Sequence, residues 1–126
     1  MKIIFLGTSA SVPTRERGLS SVAVLRGSEL LLFDAGEGVQ RALSSANLGF
    51  NRKMKVFITH LHGDHCIGLL GLLQTMSMVQ RNELIDIYGP PRLKSFLKCN
   101  IRLLNIHPTY PIQSHTIREG IILEEA

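Results

Sequence analysis

Apolar positions along this chain fall into short blocks whose lengths and periods predict the elements. Three strand-like runs come first, at residues 2–6, 20–25 and 29–34. The first two are separated by a polar loop, Gly7 to Leu19, which carries Pro13, Gly18 and the charges Arg15, Glu16 and Arg17. Val39, Ala42, Leu43 and Ala46 then recur at helical spacing and predict a helix over 37–46, stopped by Asn47-Leu48-Gly49. The run Lys55 to Thr59 reads as a buried strand, and the apolar stretch that begins at Cys66 predicts a long helix over 65–81 with Met76 and Met78 as core filling. Residues 84–88 form another strand-like run, closed by Gly89-Pro90-Pro91. Pro91 opens a helix to about 104, because proline is tolerated in a first turn. Arg92, Lys94, Lys98 and Arg102 fall on that helix's polar side and read as its wet face. Residues 110–117 and 120–123 are weak strand candidates. Strands first, then strands alternating with helices, predict an α/β fold with a mixed sheet and flanking helices.

A length of 126 residues fits a single domain, 1–126. Hydrophobic residues at 44% against 19% charged exclude a disordered chain. No apolar run reaches the roughly 18 residues of a membrane span, and the opening Met1–Gly7 turns polar too soon for a signal peptide. Cys66 and Cys99 give no disulfide framework, so a cytoplasmic setting is expected. The net charge of +4 permits a nucleic-acid partner without demanding one.

The chemistry concentrates in His60-Leu61-His62-Gly63-Asp64-His65. Imidazole and carboxylate are the ligands of zinc and similar divalent ions. The segment lies where a strand ends and a helix begins, the edge at which open α/β sheets place their sites. His60 and His62 are two apart, as on one face of a strand. Gly63 allows a sharp turn, and Asp64 and His65 fall beyond it, aimed at a second point. Two pairs predict two ions. Cys66 reads as a small buried residue and not as a ligand. His107, before a proline, and His115, in a weak edge-like strand, are not expected to be ligands either.

The cluster matches the H-x-H-x-D-H signature of the metallo-β-lactamase superfamily. Phe5-Leu6-Gly7-Thr8-Ser9-Ala10 followed by Val12 to Arg17, the glycine-rich turn Leu32 to Gln40, and Tyr88-Gly89-Pro90 resemble the ribonuclease Z family of tRNA 3′-processing endonucleases. The likeness runs from Met1 to about Glu119. It implies an αββα sandwich of two similar halves, with this chain as the first, N-terminal half. It implies that His60 and His62 hold one zinc and that Asp64 and His65 hold the second. Asp64 would also be the catalytic residue, orienting the attacking water. Asp34 would support the ligand loop, or cap the helix that follows it, and Thr59 would give backbone support. Pro13, Arg15 and Arg17 correspond to a tRNA-binding loop, P-x-K-x-R-N, in which Arg15 replaces the lysine and Gly18 the asparagine. The implied function is a zinc-dependent endoribonuclease that removes 3′ trailers from precursor tRNA, leaving a 3′-hydroxyl.

Two ions want about five or six ligand contacts, and this cluster offers four. The family's remaining ligands, two histidines and an aspartate, would lie beyond this sequence. The isolated chain is therefore expected to be inactive and to hold one ion or none. An isolated half would also leave one sheet face bare, so a homodimer or a covering partner is expected. The substitutions at Arg15 and Gly18 leave room for another hydrolase of the superfamily, arylsulfatase-like or acting on cyclic phosphates. A metal-poor half-domain serving as an oligomerisation unit is the non-enzymatic alternative.

Overall fold

The computed structural model describes residues 1–125. Six strands and three helices follow in the order β1 (Lys2–Gly7), β2 (Ser21–Arg26), β3 (Glu29–Phe33), α1 (Val39–Ser45), β4 (Met54–Phe57), α2 (Gly63–Met78), β5 (Ile85–Gly89), α3 (Leu93–Leu103) and β6 (Ile112–Thr116). The strands lie side by side in sequence order within one sheet. β1, β2 and β3 pair antiparallel, and β3 through β6 pair parallel. Antiparallel neighbours need only a tight turn, and β2 meets β3 around Gly27 with φ of 59°. Parallel neighbours need a crossover, and each of the three carries one helix. The expected α/β mixed sheet with flanking helices is what forms.

Alternation along the strands decides which face the helices cover. Leu30, Leu32, Met54, Val56, Ile58, Ile85 and Ile87 point to one side and are fully or almost fully buried against Leu43, Leu69, Leu72, Leu73, Met76 and Leu93. Among the described residues, the opposite face carries no helix. One row across it, in register from β1 to β6, is Phe5, Val22, Phe33, Phe57, Tyr88 and His115. The rings of Phe33, Phe57, Tyr88 and His115 stack in sequence at centroid spacings of 4.9, 4.9 and 4.5 Å. Beside this row sits a charged group: Glu29 lies between Arg26 and Lys55, and Glu125 pairs with both of those cations.

Some boundaries differ from the sequence reading. The run 120–123 forms no strand. Ile121, Ile122 and Leu123 instead line a groove with Leu31, Phe33 and Phe57 and do not extend the ladder. α2 ends at Met78, not at 81, because Gln80 takes a left-handed conformation (φ 62°) and the Arg81 N–H closes back on the Met76 carbonyl. Met78, two residues on from fully buried Met76, lies on the opposite face of α2, so it faces solvent and does not fill the core. Among the described residues no helix is long and apolar enough to cross a membrane.

Arg81 is fully buried. Its Nε donates to the Glu83 carbonyl (2.8 Å), Nη1 to those of Phe50 (2.7 Å) and Arg52 (2.8 Å), and Nη2 to that of Leu84 (2.9 Å). One planar cation thus ties the end of α2 to the approaches of β4 and β5. Replacing it with methionine should lower the unfolding free energy by about 3–5 kcal/mol in urea titration, since four carbonyls lose a charged donor inside the protein.

The Glu29 carboxyl is nearly buried, which by itself would raise its pKa, but hydrogen bonds from Lys55 and Arg26 outweigh burial and hold it at about 2, below its ordinary 4.5. A depressed carboxylate contributes stability that is present above its unfolded pKa and lost as pH falls through the folded value. The melting temperature should therefore fall between pH 4.5 and pH 2. Glu29→Gln should melt lower at neutral pH and show a flatter dependence across that window.

Candidate metal centre

Asp34 ends β3 in a left-handed conformation, φ 61°, which aspartate tolerates better than most residues. Its backbone is fixed from two sides: its N–H donates to the Phe57 carbonyl (2.8 Å), and its carbonyl accepts from Ser21 Oγ (2.9 Å). The following turn meets α2 backbone to backbone. Ala35 N–H donates to the His65 carbonyl (2.8 Å), and Gly68 N–H to the Ala35 carbonyl (2.9 Å). A Cβ on Gly68 would fall 1.8 Å from the Gly36 carbonyl oxygen, so only glycine allows this approach. The first turn of α2 is thereby bolted beneath the end of β3.

The Asp34 carboxylate points into the segment between β4 and α2. It accepts from Thr59 N–H (2.8 Å), from Thr59 Oγ1 (2.9 and 3.0 Å to its two oxygens) and from His65 Nδ1 (2.7 Å). It does not cap α1, which starts after Gly38 without a side-chain cap. Thr59 Oγ1 also lies 2.9 Å from His60 Nδ1. Its single proton goes to the carboxylate, the stronger acceptor, so it accepts from His60 Nδ1–H. On this assignment His60 and His65 both carry their proton on Nδ1 and leave the Nε2 lone pair free.

β4 stops at Phe57, so His60 and His62 lie in a loop and not on a strand face. Gly63 makes no left-handed turn. It opens α2, after an extended His62 (φ −65°, ψ 140°). Asp64 and His65 consequently occupy the helix's first turn and fold back toward the other two residues. The His60 ring lies 4.6 Å from that of His62 and 4.1 Å from that of His65, and His65 Nε2 is 3.5 Å from Asp64 Oδ2. The four side chains lie close together in one cluster.

Among the described residues, no three His, Cys, Asp or Glu side chains are set as a ready-made cation cage. The donor chemistry nonetheless fits a divalent ion: imidazoles with Nδ1 held by a carboxylate or hydroxyl, Nε2 open, and a carboxylate alongside.

Cys66 is buried, and burial, helped by the nearby Asp34 and Asp64 charges, pushes its thiol pKa up. His107 is exposed. His115 sits on the open sheet face with Nε2 2.8 Å from Asp86 Oδ1, away from the cluster. Pro13, Arg15 and Arg17 are exposed in the loop between β1 and β2. That loop touches the cluster through Ser11, whose N–H donates to Asp64 Oδ2 (3.3 Å). A backbone donor leaves no mark in residue type. Leu61, Pro90, Pro91 and Arg92 line a shallow cavity of about 350 Å³ with His60. In the sequence, the two prolines signal only a strand end and a helix start.

The family model for the anti-Pycsar protein Apyc1 matches residues 1–102. Ribonuclease Z of Nitrosopumilus maritimus is 51% identical over 125 residues, which is 99% of this chain and 42% of that protein. The crystal structure of the short form of human tRNase Z (ELAC1) superposes with a TM-score of 0.84 at 39% identity, covering 94% of this chain and 47% of that one. The metallo-β-lactamase fold protein YhfI from Bacillus subtilis superposes at 0.76 with 19% identity, covering 98% of this chain and 49% of that one, a likeness of fold alone. The chain has the metallo-β-lactamase fold and spans about two fifths of the length of the ribonuclease Z relatives it matches. The resemblance read from its motifs extends along nearly all of it.

Asp34→Ala should release His65. Nitrogen-15 spectra should then show its ring passing from the Nδ1–H form to a mixture of tautomers. Unfolding should become easier by about 1–3 kcal/mol, the cost of leaving the Thr59 amide and hydroxyl without their acceptor.

Proposed function

The chain belongs to the family of the anti-Pycsar protein Apyc1, and on that premise, joined to its likeness to ribonuclease Z, we propose that it is the metal-holding part of a zinc-dependent endoribonuclease that removes 3′ trailers from precursor tRNA. The observation that carries this reading is the single cluster of His60, His62, Asp64 and His65, with the nitrogens of two rings oriented by Asp34 and Thr59.

His60, His62, Asp64 and His65 would hold the zinc. Bound zinc supplies a water of lowered pKa and compensates charge on the phosphoryl oxygens. Asp34 fixes His65 and Thr59 fixes His60, so neither ring has to be ordered during the reaction. Asp64, at the start of α2, orients the attacking water through its carboxylate. Pro13 shapes the exposed loop from which Arg15 and Arg17 reach RNA phosphates. Water attack at the phosphorus, with the tRNA's own 3′ oxygen leaving and taking up a proton, yields a tRNA with a 3′-hydroxyl and a trailer with a 5′-phosphate.

A complete two-ion site draws on about five or six ligand contacts, so residues outside 60–65 supply the balance and residues 1–126 alone hold one ion or none. In this reading 1–126 folds as one domain, the first half of a sandwich. The protein works in the cytoplasm as a homodimer. A second reading, another phosphodiesterase of the same superfamily, is favoured by the Apyc1 family match, whose name differs from that of the curated relatives.

Alanine at His62 or at Asp64, in a protein of the relatives' full length, should reduce cleavage of precursor tRNA by at least about 100-fold, because a metal ligand is lost. Mapping the 3′ ends of products measures it, and undiminished cleavage would sink the nuclease reading. Arg15→Ala with Arg17→Ala should raise KM for precursor tRNA while leaving turnover of bis(4-nitrophenyl) phosphate unaltered. A rise in neither, with small-ester turnover intact, supports the second reading.

A further inference from the structure

The loop between β1 and β2 is a closed structure. Its base is shut by Ser9 N–H donating to the Gly18 carbonyl (2.9 Å) and by a bridge between Ser9 and Leu19. Its tip is shut by Thr14 N–H to the Arg17 carbonyl (2.8 Å) and Arg17 N–H to Thr14 Oγ1 (3.0 Å). Between base and tip, Val12 N–H reaches back to the Ala10 carbonyl at 2.6 Å, closing a three-residue turn centred on Ser11. Ser11 has φ of 59°. A turn of this size with positive φ at its centre is the rarer, strained form, and serine is poorly suited to it. Strain of this kind persists where surrounding structure enforces it, commonly at functional sites.

The strained turn brings the Ser11 N–H to Asp64 Oδ2 at 3.3 Å, across 53 residues of sequence. We infer that Ser11 is a positioning residue: its backbone amide fixes the Asp64 carboxylate and links it mechanically to the loop that carries Arg15 and Arg17. This rests on the reading of Asp64 as part of the metal centre. The donor is a main-chain group, so side-chain truncation leaves it in place, and glycine, which adopts positive φ freely, suits the turn better than serine. Proline removes the N–H and cannot take this φ. Because the loop is braced at both ends, displacement of its arginine tip is carried to the Ser11 turn and thence to Asp64.

The first test needs neither metal nor substrate. In the 126-residue chain, amide hydrogen exchange at Ser11 should be slowed by its bond to Asp64. Asp64→Ala should speed it at least about tenfold, while Ser9, bonded to Gly18, keeps its rate and certifies that the loop is intact. Equal Ser11 exchange in both chains overturns the inference. The second test is zinc affinity by competition with a chelating dye. Ser11→Gly should stay within about twofold of the parent, and Ser11→Pro should bind about tenfold more weakly, the scale of one charge-assisted hydrogen bond. Equal affinity in the proline variant also overturns it. In a protein of the relatives' full length, Ser11→Pro should lower kcat on precursor tRNA and on bis(4-nitrophenyl) phosphate alike, whereas changes at the arginines act on KM for RNA. If the parent cleaves no RNA, the nuclease reading fails while the exchange result stands on its own.

Discussion

One carboxylate holds the candidate centre together. Asp34 ends a strand, yet it takes hydrogen bonds from the segment after β4 through Thr59 and from the first turn of α2 through His65. Three separate pieces of chain therefore converge on a single acceptor, and each becomes less free because the others are held. The bonds are charge-assisted and partly buried, which makes them stronger than neutral ones. The arrangement works only because the backbone at Asp34 turns left-handed and because Gly68 lets the helix touch the turn, while Gly36 lets that turn pass against Leu19. A methyl group on Gly68 would push α2 from the turn and lift His65 away from its partner.

The elements of the fold were legible because they rest on burial. Alternation in β3 and β4 and the apolar run of α2 mark what the core takes, and the core is where each strand's inner residues lie. The errors have local causes. Met78 looked like core filling because it continues an apolar run, but it falls on the side of α2 that carries exposed Gln74, away from buried Met76, so its side chain meets water. Residues 120–123 looked like a strand, but they line a groove on the open sheet face without pairing to it. Arg81 gave no sign of its role, since an arginine that binds only carbonyls has no charged partner for a sequence reader to find.

At the candidate centre, the side-chain types could be read from the sequence and their arrangement could not. Spacing by two suggested a strand face for His60 and His62, yet β4 gives out at Phe57. Gly63 suggested a sharp turn, yet it opens a helix and so returns Asp64 and His65 to the same cluster. Side-chain identity reports chemistry. It does not report where hydrogen-bonded backbone begins and ends, nor a main-chain donor such as that of Ser11.

Each strand of the sheet pairs with the strand that precedes it in the sequence, without exception from β1 to β6. No pairing waits for a distant segment, so ring closures are short and their entropic cost stays low. A nascent polypeptide emerging from the ribosome can therefore lay down this sheet strand by strand. The His60–His65 cluster is complete once α2 has docked, well before β6 leaves the exit tunnel, so its hydrogen bonds to Asp34 and Thr59 can form cotranslationally.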